Sequence, residues 1–144
     1  GNGPLHSNFK EIIKKNKLNK KIKLLTNVNN KDLIKYIKLC DIFCFTSNTR
    51  AESFGIVVLE ALSYKKPLLI FNNKGSGMLD MIKNNYNGYI FNSKKNLIDK
   101  INYIEKNRYL MKKFSTNSQK LFKLKYDKKI IYSKLFSLYD DLLK

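Results

Sequence analysis

The chain has 144 residues, 43% of them hydrophobic, which is enough for one domain with a real core, and no apolar run approaches the length of a membrane span. Its formal net charge is +18, from 29 Lys and Arg against 11 Asp and Glu, a balance that raises nucleic acid or an anionic membrane surface as partners. All the basic residues except Arg50 and Arg108 are Lys and they are spread along the chain, in a composition dominated by Lys, Asn and Ile as AT-rich codons produce, so no nucleic-acid partner is expected and peripheral contact with anionic lipid is the better reading of the charge.

Gly1-Asn2-Gly3-Pro4 reads as the loop after a strand, and the chain is expected to be part of a longer protein. Residues 8–16 have helical spacing, with Phe9, Ile12 and Ile13 on one face. Residues 21–26 alternate and then turn apolar at Leu24 and Leu25, which predicts a strand. Residues 27–30 form a loop. Asp32 or Asn30 is expected to cap a helix over 31–39, with Leu33, Ile34 and Ile37 inward. Residues 41–47 predict a second strand, apolar on both faces as a buried parallel sheet requires.

A polar loop, 48–51, leads to a helix ending near 64–66. Pro67 opens a third strand, 67–71, at the position where proline is tolerated. An Asn- and Gly-rich loop (72–77), a short helix (77–82) and an Asn87-Gly88 turn lead to a fourth strand, 89–91. An amphipathic helix over 96–106 and two more helices, 108–124 and 128–143, close the chain. Strands alternating with helices predict an α/β fold, a Rossmann-like doubly wound parallel sheet of about four strands with C-terminal helices. Ligands bind such sheets beyond the carboxyl ends of the strands, where the loops 26–30, 47–53, 72–77 and 92–95 would gather.

The stretch with the most chemistry runs from Ala51 to Leu62. Glu52 and Glu60 stand eight positions apart, with Phe54, Gly55 and an unbroken apolar run between them. A turn feeding a buried helix accounts for this pattern. Ser53 is expected to cap the helix, and Gly55 to let the backbone approach whatever sits at its start. Free amides and the positive end of the helix dipole then make an anion site. Glu60 would lie roughly 7 Å up the axis, so that one ligand could touch both carboxylates and the amides. The β-branched run Ile56-Val57-Val58 also fits a buried strand, with Glu60 solvated at a helix rim.

The other reactive side chains say less. Cys40 and Cys44 fit neither a zinc set nor a redox pair, and are expected to be buried free thiols in a reducing cytoplasm. His6 is the only histidine and falls in a polar stretch, so a histidine triad or histidine metal site is not expected.

Glu52-x7-Glu60 with Phe54-Gly55 inside it resembles the E-x7-E motif of retaining, nucleotide-sugar-dependent glycosyltransferases of family 4, which have the GT-B fold. Further landmarks follow in the family's order. Residues 41–47 resemble its "ADV-x-V-x-PS" strand, 59–62 its "LEAMA", 67–70 its "PVI", 77–82 its "G-x-x-E-x-I" and 87–91 its "NG-x-L-V". Gly1-Asn2-Gly3-Pro4 resembles its "G-x-GP". Thr46, Lys66 and Asp80 depart from the usual Pro, Gly and Glu.

The resemblance implies that residues 1–144 are part of the C-terminal donor-binding domain, with a Rossmann-like part at 1–107 and a helical tail at 108–144. The N-terminal domain would belong to the same longer chain, and this fragment alone would be inactive. The resemblance also implies roles for particular residues. Glu52 would contact the transferred sugar near the reaction centre, as the catalytic residue. Glu60 would bind the ribose hydroxyls. Ser53 and the backbone around Phe54, Gly55, Ile56 and Val57 would face sugar and diphosphate. Thr26, Asn27 and Val28 would line the base, and Ser47 matches the Ser of the "PS" pair.

The implied reaction moves a sugar from a nucleoside-diphosphate sugar to the hydroxyl of a glycan or lipid-linked acceptor, with retention, in surface polysaccharide or glycolipid synthesis. It would take place in the cytoplasm, at the inner face of the cell membrane. No metal or other cofactor is expected, since the helix end and basic side chains carry the phosphate charge. The competing expectation is a non-catalytic Rossmann-like module, or a basic domain that associates with membrane or nucleic acid.

Overall fold

The computed structural model describes residues 2–49 and 53–143. The chain divides into two compact units, 1–36 and 37–144.

In the first unit, helix α1 (His6–Lys15) buries Ile13 but leaves Phe9 and Ile12 exposed. A turn follows in which the Leu18 carbonyl accepts from the amides of Lys21 and Ile22. The strand expected at 21–26 does not form, and the chain from 22 to 26 is irregular. A strand exists through its ladder, and no described strand pairs with these residues. Helix α2 (Asn30–Leu39) runs across the boundary between the units. Its cap is Asn29, neither Asp32 nor Asn30. The Asn29 side-chain oxygen accepts from the Asp32 amide at 2.9 Å, while the Asn29 amide group donates to the Asp32 carboxylate at 3.0 Å.

The second unit is built on three parallel strands, β1 (Phe43–Phe45), β2 (Leu68–Phe71) and β3 (Gly88–Phe91), in the order β1-β2-β3. The central strand buries Leu68, Leu69 and Ile70 almost completely. An apolar run with no polar alternation is what a strand covered on both faces needs. Strand β1 sits at the edge of the described sheet. Phe43 and Phe45 are only half-buried and Cys44 is exposed, so the expectation of a doubly covered strand with a buried thiol is wrong there. Cys40 is half-buried, and both thiols are free.

Gly88 lies opposite Leu68 in the register. A Cβ at this position would run into the Leu68 backbone, with the amide nitrogen 2.9 Å away.

Helix α3 (Ile56–Ser63) packs on β1 and β2, burying Val58, Ala61 and Leu62. Helix α4 (Lys94–Lys106) starts where Ser93 accepts from the Asn96 amide, and it packs on β3. Between β2 and β3 a 3₁₀ helix, Gly77–Met81, buries Met78 and Met81. Helix α5 (Tyr109–Lys125) lies against α3. Its Ser118 hydroxyl donates to the Lys66 carbonyl at 2.8 Å, and its Asn117 amide to the Tyr86 carbonyl at 2.8 Å.

One core cluster gathers Leu69, Tyr89, Phe91, Ile104, Leu110 and Phe114. Phe114 is wholly buried, edge-on to Tyr89 at 5.3 Å, and its burial contributes about 2–3 kcal/mol. Helix α6 (Lys128–Leu142), capped by Asp127, buries none of its residues. Among the described residues no helix is long and apolar enough to cross a membrane.

Candidate functional site at the carboxyl edge of the sheet

Because all three strands run parallel, the loops that follow them leave from the same edge. Hydrogen bonds tie these loops together. The Asn72 amide N–H donates to the Phe91 carbonyl, and the Asn72 side chain to Asn92 at 2.7 Å. The Asn73 side chain donates to the Thr49 carbonyl at 2.7 Å. The Ser53 carbonyl accepts from the Gly77 amide at 2.8 Å and from the Ser76 hydroxyl at 3.3 Å. The loop after β2 thus touches the loops after β1 and β3.

The mouth of α3 lies in this cluster. Residues 56–63 are helical, which decides against a strand at 56–59. The start, however, corrects one expectation: Ser53 is not the cap. The helix begins at Ile56, its N-cap is Gly55, and no side chain caps it. Gly55 adopts φ 72° and ψ 59°, in the left-handed region where a side chain is costly. A Cβ there would also overlap the Met78 side chain, whose sulfur would lie 2.8 Å away. The Gly55 carbonyl accepts from the amides of Val58 at 2.8 Å and Leu59 at 3.3 Å. The amides at the helix start give this end its positive partial charge.

The bare glycine cap leads to a stability prediction. Gly55→Ala is expected to cost about 1–3 kcal/mol through backbone strain. A lowered midpoint in thermal unfolding of the intact protein checks it, and an unchanged midpoint would count against the strain.

Side chains around this mouth are apolar and open to solvent. Phe54 is 47% exposed and Ile56 67%. Val57 is half-buried. Glu60, also half-buried, lies in the second turn, about 6 Å along the axis from Ile56. The one ion pair among the described residues joins Lys35 to Asp32 at 2.9 Å, so Glu60 is held by no lysine there.

The structure therefore brings Ser53, Phe54, Gly55, Ile56, Val57 and Glu60 to one helix start. Ser47 is half-buried just beyond β1. Glu52 lies outside the described residues. Thr26, Asn27 and Val28 belong to the first unit, where all three are exposed. Asn27 has φ 51°, and its side-chain oxygen accepts from Asn2 at 2.6 Å. Sequence reasoning passed over Asn73 and Ser76, which are both buried. Asparagine and serine are ordinary loop residues, and only their fold partners mark them out. No cluster of three or more metal-ligating side chains occurs among the described residues.

Comparison with known proteins agrees with this architecture. The chain superposes on Anabaena HepE in complex with UDP-glucose with a TM-score of 0.77 at 20% identity, covering 94% of this chain and 36% of that one. It superposes on the pneumococcal O-GlcNAc transferase GtfA in complex with UDP and GlcNAc with a TM-score of 0.79 at 20% identity, covering 99% and 28%. It is 26% identical over 144 residues to the alpha-monoglucosyldiacylglycerol synthase of Acholeplasma laidlawii, covering 99% of this chain and 35% of that protein. The chain thus spans about a third of the length of these relatives. A match over residues 1–121 to the family described as glycosyl transferases group 1 covers most of the sequence, and the chain belongs to that family.

Proposed function

We propose that this chain is the donor-binding part of a retaining, family 4-type glycosyltransferase that transfers a sugar from a nucleoside-diphosphate sugar to a hydroxyl acceptor. Residues 1–107 form its Rossmann-like part and 108–144 its helical tail. An N-terminal domain of the same longer protein would supply the acceptor side. The exposed apolar face of α6, with Ile131, Leu135, Leu138 and Leu142, is the kind of surface such a domain would cover.

The observation that carries the reading is Glu60, a half-buried carboxylate one turn above a glycine-capped helix start. A carboxylate removed from water needs donors, and a ribose diol offers two. The amides of residues 54–57 face the diphosphate, and the helix end takes up its charge without a metal. Glu52 contacts the transferred sugar near the reaction centre. Ser47 flanks the site.

One of the similar structures is in complex with UDP-glucose and another with UDP and GlcNAc, which supports a nucleotide-sugar donor. The synthase relative is named for a glycosylated diacylglycerol, which supports a lipid acceptor.

The test is nucleoside-diphosphate binding by the intact protein. Glu60→Ala is expected to weaken it by about ten- to a hundredfold, the worth of hydrogen bonds to a charged group. Isothermal titration with UDP, GDP and ADP measures this. Equal affinity in the variant would remove the ribose role.

A further inference from the structure

The geometry points to a phosphate-binding site at the amino-terminal end of β3, formed by Asn84, Asn85, Lys100 and Tyr103. With Tyr89, these side chains line one open cavity of about 320 Å³, a size that admits a phosphate together with the sugar or glycerol that carries it. Asn84 and Asn85 precede β3, and Lys100 and Tyr103 come from the helix that packs back along it. The cavity therefore lies at the end of β3 opposite the edge where the loops after the strands gather, and stands apart from the mouth of α3.

Tyr89 is the platform. Its ring is buried, edge-on to Phe114 at 5.3 Å and to Tyr103 at 6.2 Å, and the Lys100 ammonium sits 4.6 Å from its centroid. The asparagine oxygens are already engaged. The Tyr89 hydroxyl donates to Asn85 Oδ1 at 3.1 Å, and the Ile90 backbone amide donates to Asn84 Oδ1 at 3.2 Å. A backbone N–H can only donate, so it turns the Asn84 oxygen toward the strand and leaves the amide nitrogen for other partners. The turn itself is fixed, since Asn85 holds φ 60° and its backbone amide donates to the Gly88 carbonyl at 2.8 Å. The cost of ordering these groups is met during folding.

What stays open is a set of donors around a cation. Among the described residues, no acceptor takes up the side-chain amide groups of Asn84 and Asn85, and Lys100 makes no ion pair. The Tyr103 ring is 49% exposed, and no carboxylate lines the cavity. A neutral sugar presents hydroxyls that donate as well as accept, and this set leaves their donors unmatched. A phosphate presents acceptors, and its tetrahedral oxygens can meet donors from several residues at once, as the planar pair of a carboxylate cannot. Two sources carry this chemistry, a soluble phosphate ester and a lipid headgroup, and the test separates them.

The intact protein is titrated by calorimetry with glucose 6-phosphate, and with glucose as the uncharged probe. In a second arm, flotation with phosphatidylcholine vesicles containing phosphatidic acid is measured. Asn84→Asp keeps the oxygen that accepts from Ile90 and replaces the open donors with negative charge. Lys100→Met keeps an apolar stem beside Tyr89 and removes the cation. Lys123→Met, at an exposed position of α5 outside the cavity lining, removes the same charge elsewhere. Asn84→Asp and Lys100→Met are expected to weaken binding of the phosphate probe by about tenfold or more, and Lys123→Met to leave it within about threefold. That pattern with glucose 6-phosphate assigns a soluble ester, and the same pattern in the flotation arm alone assigns a lipid headgroup. Glucose binding as tightly as glucose 6-phosphate, equal loss in all three variants, no loss at Asn84 and Lys100, or no binding in either arm would each overturn the site.

Discussion

Glu52→Gln in the intact protein is expected to lower sugar transfer by about 10²–10³-fold, the range seen when one preorganised electrostatic contact is removed from a reaction centre. Glutamine keeps the shape of the side chain and removes its charge. Nucleotide affinity should change little, because the proposed ribose and diphosphate contacts are assigned to α3, with Glu60 and the helix start. The two carboxylates therefore predict opposite kinetic signatures. Loss at Glu52 falls on kcat, as for an interaction made mainly in the transition state, and loss at Glu60 falls on donor KM. Initial rates at varied donor concentration separate the two. If both variants showed the same signature, the division of labour between the two acids would be lost.

The second large effect concerns the sheet itself. Gly88→Ala is expected to destabilise the protein by about 3 kcal/mol or more, at or beyond the upper end of ordinary overpacking. The added methyl has no side chain to push aside. It meets the Leu68 backbone of the neighbouring strand, with the amide nitrogen at 2.9 Å. That strand is the central one, and Leu68 is paired with Gly88 in the register. Its amide already donates to the Asn87 carbonyl at 3.0 Å. Any shift that relieves the clash stretches this ladder. Gly3→Ala serves as the control, since nothing lies within 4 Å of its added Cβ. Thermal unfolding and limited proteolysis of the intact protein give the comparison. Equal midpoints for the two variants would mean that the sheet tolerates separation at this point.

The loops around the site show where local sequence stops being informative. The serine at 53 resembles a helix cap by every local criterion, being a small hydroxyl residue just before an apolar run. Its carbonyl is instead committed to Ser76 and Gly77 from another loop, and the chain continues to Gly55 before the helix starts. The cap of α2 was displaced by one residue in the same way, to Asn29, which bonds to both the amide and the carboxylate of Asp32.

By itself, the sequence determined the alternation of helices and strands from residue 30 onward, the parallel α/β class, and the placing of Glu60 on a helix one turn above a glycine. These follow from periodicity, from unbroken apolar runs and from glycine chemistry, all of which act over a few neighbouring residues. The tertiary structure decided what depends on distant partners. Residues 21–26 have the pattern of a strand but form no ladder, because a strand requires a neighbour that pattern alone cannot supply. Cys44 is exposed because its strand is an edge, and edge or centre is a property of the sheet. Asn73 and Ser76 gain their meaning only when the loop after β2 folds against Thr49 and Ser53, since a hydrogen bond between residues more than twenty positions apart leaves no mark on local sequence.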